Sequence, residues 1–115
     1  MKSSITTHVL DTALGKPAAG ITVMLEMKGK SGDWAKISSG TTDPDGRISD
    51  FFSNGIPFEK AIYRLTFETS AYFRSIRVEG FYPYVQIAFE AKESSAHYHV
   101  PLLLSPFGYS TYRGS

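Results

Sequence analysis

The sequence predicts an all-β protein with one short helix, folded as a two-sheet β-sandwich of about eight strands. Three observations lead there. Apolar residues recur at every second position in short runs, as in Val23, Leu25 and Met27 or Tyr63, Leu65 and Phe67, which is the period of a strand with one buried face. The runs are separated by turn chemistry, most plainly Asp43-Pro44-Asp45-Gly46, where proline presets φ and glycine accepts a positive one. Only Thr69 to Ile76 reads as a helix, too short to organise a helical layer.

The elements follow in order. Ile5 to Leu10 is a first strand, and Thr12 to Pro17 a connection. Thr22 to Lys28 and Trp34 to Thr41 form a hairpin around Gly29-Lys30-Ser31-Gly32-Asp33. Arg47 to Ser49 is a short strand after the Pro-Asp-Gly turn, and Asp50 to Pro57 a loop. Ala61 to Glu68 alternates again, and Ser70 is the candidate cap of the helix after it. Tyr84 to Ala91, His97 to Leu104 and Tyr109 to Arg113 complete the set, the last two joined by Ser105-Pro106-Phe107-Gly108. Short strands at this spacing, broken by turns, describe an antiparallel sandwich.

A length of 115 residues suits one domain, residues 1–115, with one modest core. The apolar share of 42% and charged share of 20% are those of a folded chain. Charges are mixed and the formal net charge is +1, so nucleic acid is not an expected partner. Cysteine is absent, which removes disulfides, thiolate catalysis and Cys-zinc sites. No run reaches membrane-span length. Met1-Lys2-Ser3-Ser4-Ile5 has no apolar leader core and the last residues are not a peroxisomal address, so a cytoplasmic protein is expected.

Strand parity places the ionisable groups. Tyr98, Val100, Leu102 and Leu104 share the natural core face of their strand, which turns His97, His99, Pro101 and Leu103 outward. By the same alternation Ile5, Thr7 and Val9 point in, while His8 and Leu10 point out. Ile48 points in and Arg47 out. Ser110, Tyr112 and Gly114 share one face of the last strand. An outward face carrying Leu10, Pro101 and Leu103 beside His8, Arg47 and His99 is seldom left wet. Packing on a second copy about a two-fold axis is the expected consequence, with a groove between subunits.

Those residues also carry a resemblance. Thr7-His8-Val9-Leu10-Asp11, Asp45-Gly46-Arg47 and the stretch from His97 to the terminal Tyr112-Arg113-Gly114-Ser115 resemble the transthyretin-like family, and within it the 5-hydroxyisourate hydrolase branch. The resemblance runs from Ser4 to Ser115. Transthyretin proper is similar in fold but lacks the two histidines, the arginine and this terminus. The resemblance implies a transthyretin-like sandwich, a homotetramer built as a dimer of dimers, and sites in the channel between subunits. It implies hydrolysis of 5-hydroxyisourate to 2-oxo-4-hydroxy-4-carboxy-5-ureidoimidazoline in urate degradation. It also carries over His8, Arg47, His99 and the Tyr-Arg-Gly-Ser terminus as site residues.

The chemistry suits those residue types. Ring opening needs an activated water and a stabilised oxyanion. Neutral histidines suit the first task, and His8 and His99 are the expected pair, with the base unassigned between them. Arg47 offers a planar fork of donors to carbonyls and ring nitrogens. Ser115 supplies a hydroxyl and the terminal carboxylate, Tyr112 a wall or a hydroxyl, and Arg113, on the other face, a structural role. Taken alone, each histidine and Arg47 reads better as an ordinary surface or interface side chain, and it is the combination with the terminus and the resemblance that favours function. His97-x-His99 with His8 is a legitimate zinc geometry, but nothing else demands a metal, so the expectation is no metal and no cofactor, with His97 at the edge of the site. A non-catalytic carrier of a small ligand is the competing function. Its pocket would be mostly apolar, whereas ionisable groups converge here. A sandwich that merely oligomerises is the third reading.

Overall fold

The computed structural model describes residues 4–115. Met1, Lys2 and Ser3, part of the stretch read above as lacking a leader, lie outside the described residues. Nine strands and one helix occur among the described residues: β1 (Ile5–Asp11), β2 (Lys16–Pro17), β3 (Thr22–Lys28), β4 (Trp34–Thr41), β5 (Arg47–Ile48), β6 (Ala61–Phe67), α1 (Thr69–Ser75), β7 (Val85–Ala91), β8 (Tyr98–Ser105) and β9 (Gly108–Thr111). One sheet runs β4-β3-β6-β7. The other runs β2-β1-β8-β9, with β5 also paired to β1. No helix among the described residues is long and apolar enough to cross a membrane.

The predicted alternation is what closes the sandwich. Ile5, Val9, Leu102 and Leu104 from one sheet meet Val23, Leu25, Tyr63, Leu65, Phe67 and Val85 from the other, all essentially without solvent exposure. Burying such side chains contributes roughly 1.5–3 kcal/mol each.

Two features differ from the sequence reading. The all-antiparallel expectation fails at one pair: β1 and β8 run parallel, from Ile5 opposite Tyr98 to Asp11 opposite Leu104. Hairpin spacing reports only neighbours along the chain, and a parallel pair needs a long crossover, here the whole second sheet. The expected Ser70 cap is also absent. The helix starts after Glu68 with no side-chain cap, and Thr69 Oγ1 donates instead to the Tyr82 carbonyl at 3.2 Å. Packing holds this short helix, since Tyr72 and Phe73 are buried.

Tyr72 also ties the helix to β1. Its hydroxyl donates to Asp11 Oδ2 at 2.7 Å, and Oδ1 of the same buried carboxylate accepts the Leu14 N–H at 3.0 Å. Burial first, then the hydrogen bond and negative charge of Asp11, push the Tyr72 phenol above its ordinary range. Tyr72→Phe leaves Asp11 one donor short and is expected to cost about 1–3 kcal/mol. The native state keeps a proton above pH 10.0, the ordinary tyrosine value, that the unfolded chain releases. Stability from this group is therefore full below that pH and falls as pH climbs past it. Urea midpoints measured from neutral to alkaline pH should fall less steeply in Tyr72→Phe than in wild type. Some decline remains, because burial also raises the Tyr63 phenol.

Candidate active site

The candidate site lies on the outer face of the first sheet, and strand register sets its geometry. His8 stands opposite Arg47 on β5 and opposite Pro101 on β8. Thr6 stands opposite His99, and His99 is bridged on its other side by Gly114. Partners in register share a face, so Thr6, His8, Arg47 and His99 form one outward patch.

The turn before β5 explains Arg47. Asp43 Oδ1 accepts from the Asp45 N–H at 2.9 Å and the Arg47 N–H at 3.0 Å. The Gly46 carbonyl accepts the Val9 N–H at 2.8 Å, which lays the turn flat on β1. Gly46 has φ +77°, and a Cβ there would sit 2.5 Å from the Val9 carbonyl oxygen. Both its conformation and its contact therefore require glycine. Arg47 itself is exposed, with its backbone fixed on both sides.

The tail is held from the other edge. The Gly114 N–H donates to the His99 carbonyl at 2.8 Å. The Arg113 guanidinium lies over the Tyr98 ring, 4.7 Å from its centroid. The Tyr98 hydroxyl in turn accepts the Lys92 and Glu93 N–H groups at 3.1 and 3.0 Å. Arg113 thus faces the core edge and anchors the backbone that carries Ser115.

A cleft of about 660 Å³ opens on this face, lined among others by Thr6, Arg47, Asp50, Phe52, His97, His99 and Ser115. That volume fits a small heterocycle. Arg47, His99 and Ser115 therefore converge. His97, expected at the edge, lines the cleft although β8 begins only at Tyr98. His8 flanks the cleft without lining it, and Tyr112 opens instead onto a second hollow of about 210 Å³ beside Tyr98 and Arg113. Among the described residues no group of three His, Cys, Asp or Glu is arranged to hold a metal ion.

A family model described as HIUase/Transthyretin family matches residues 5–114. The chain belongs to the HIUase/Transthyretin family. It is 44% identical over 113 residues to a probable 5-hydroxyisourate hydrolase of Caenorhabditis elegans, covering 98% of this chain and 82% of that one. Its structure is similar to that of Klebsiella pneumoniae 5-hydroxyisourate hydrolase, with TM-score 0.83 and 37% identity over 98% of this chain and all of that one. Sea bream transthyretin in complex with thyroxine is also similar, with TM-score 0.85 and 31% identity over 96% of this chain and 94% of that one. Backbone likeness alone therefore does not separate the hydrolase from the thyroxine-bound transthyretin, and the side chains at the site must do so.

One residue of this family member escaped the sequence reading. Thr6 Oγ1 lies 2.7 Å from His99 Nδ1 and 3.1 Å from His97 Nε2. Its signal was parity, since it shares the outward face of β1 with His8. Threonine is so common in strands that parity alone did not single it out.

Proposed function

We propose that the chain is a 5-hydroxyisourate hydrolase acting in urate degradation, with His99, Arg47, Ser115 and His8 as its working residues. Support comes from the convergence of His97, His99, Arg47 and Ser115 on one cleft, in a chain whose relatives carry that name over nearly its whole length. In this reading His99 takes a proton from water as the oxygen adds to the cyclic amide carbonyl. Arg47 donates to the oxyanion that forms. The C–N bond then breaks, and the proton held on the imidazole goes to the leaving nitrogen. Ser115 offers its hydroxyl to the ring's polar edge, and His8 stands beside Arg47 at the flank of the cleft.

A single domain carries this activity, and we place it in a homotetramer. Phe81, Phe107, Tyr84 and Tyr112 are between about half and seven-tenths exposed, and they lie near the edge strands β7 and β9. An aromatic surface of this kind suits contact with further copies. The cleft's outer wall would then come from a neighbouring subunit.

The test is the ultraviolet decay of freshly generated 5-hydroxyisourate with catalytic amounts of the protein, against the spontaneous rate. Acceleration proportional to protein concentration is expected. A folded oligomer that leaves the spontaneous rate unchanged would overturn the hydrolase in favour of a small-ligand carrier.

A further inference from the structure

One hydroxyl, Thr6 Oγ1, bridges the two imidazoles of the cleft. Their rings are near parallel, 12° apart, with centroids separated by 6.3 Å. A hydroxyl carries one proton, so it donates to one ring nitrogen and must accept from the other if both bonds are made. The tautomers of His97 and His99 are thereby tied together.

We infer that Thr6 is a positioning residue that holds His99 as its Nδ1–H tautomer, leaving Nε2 as the base, with His97 Nε2 accepting the Thr6 hydroxyl proton. This rests on the hydrolase reading above, and the direction follows from it. If Thr6 donated to His99 Nδ1, neutral His99 would already carry its proton on Nε2 and have no lone pair for water. In the assigned direction His99 donates to Thr6 both before and after Nε2 gains a proton, so no hydrogen bond must reverse during the reaction. The proton taken from water stays on Nε2 until the leaving nitrogen receives it, and Thr6 and His97 exchange nothing.

The backbone makes the arrangement rigid. Thr6 and His99 stand directly opposite on the parallel strands, and a β-branched side chain has few χ1 choices. A tautomer fixed in this way spares the enzyme the fraction of molecules that would otherwise sit in the unproductive form.

The experiment combines ring-nitrogen NMR of histidine-labelled full-length protein with steady-state kinetics on wild type, Thr6→Val and Thr6→Ser. Wild-type His99 should show the Nδ1–H tautomer when neutral. Thr6→Val should show a mixture, with kcat lower by about tenfold or more and KM within about twofold. Thr6→Ser, which restores the hydroxyl, should recover most of both signals. Finding wild-type His99 protonated on Nε2, or an unchanged kcat in Thr6→Val, overturns the inference. Wild-type protein that fails to hydrolyse the substrate overturns the hydrolase reading on its own. The NMR needs no substrate and decides Thr6's hold on His99 independently, even if Thr6→Val does not fold.

Discussion

His99→Gln is expected to hydrolyse 5-hydroxyisourate at least about a hundredfold more slowly than wild type while melting within a few degrees of it. The rate loss follows from what glutamine keeps and what it lacks. It retains a polar side chain able to bond Thr6 on a strand whose core face is untouched. It has no nitrogen basic enough to take a proton from water near neutral pH. His99 is only half-buried and contributes nothing to the sandwich core, so stability has no reason to follow activity. Arg47→Ala should lose activity for a different reason, since oxyanion donors are worth about 10²–10³ in rate. Initial rates corrected for spontaneous decay, paired with thermal melts, check both variants. Turnover close to wild type in folded His99→Gln would remove His99 from the role of base and leave His8 as the candidate.

Gly114→Ala should also lose activity, about tenfold or more, from one added methyl group. A Cβ at this position would lie 2.5 Å from His99 Cδ2 and 3.2 Å from Pro101 Cγ. Neither neighbour yields easily: Pro101 is buried on a central strand, and the His99 ring is held at Nδ1 by Thr6. The tail must lift, breaking the Gly114 N–H bond to the His99 carbonyl and withdrawing Ser115 from the cleft. Removal of Ser115 alone is the natural comparison. If both variants lose activity equally with little change in melting temperature, displacement of the terminal residue accounts for the loss. A larger deficit in Gly114→Ala would show that the His99 ring has moved as well. Wild-type turnover in Gly114→Ala would mean that the tail has no part in the reaction.

The sandwich was legible because its residues obey a period of two. Val23, Leu25, Tyr63, Leu65, Val100 and Leu102 needed no knowledge of their partners to be placed inside. The same parity turned His8, Arg47 and His99 outward. What parity does not contain is which strands lie side by side. The parallel β1–β8 pair, and with it the meeting of Thr6 and His99, depends on contacts between distant parts of the chain. The two-residue strand Lys16–Pro17 is visible only through its pairing with Leu10 and Asp11. Tyr112 was assigned to the groove from its alternation with Gly114. The ladder of β9, however, ends at Thr111, and Tyr112 opens onto a different hollow.

The parallel pairing of β1 with β8 bears on how the protein is made. The four strands of the sheet β4-β3-β6-β7 all lie between Thr22 and Ala91. They can assemble while synthesis is still under way. The sheet that bears the cleft has no such option. Until Tyr98 to Ser105 has emerged, β1 lacks its central neighbour, and Thr6 has no histidine to meet. During that interval the β1 edge and the inner face of the finished sheet stay uncovered, the condition in which nascent chains aggregate. The same topology that brings Thr6 to His99 therefore withholds catalytic competence until β8 has emerged and paired with β1. Slow, non-local closure of this kind is the expected rate-limiting step of folding.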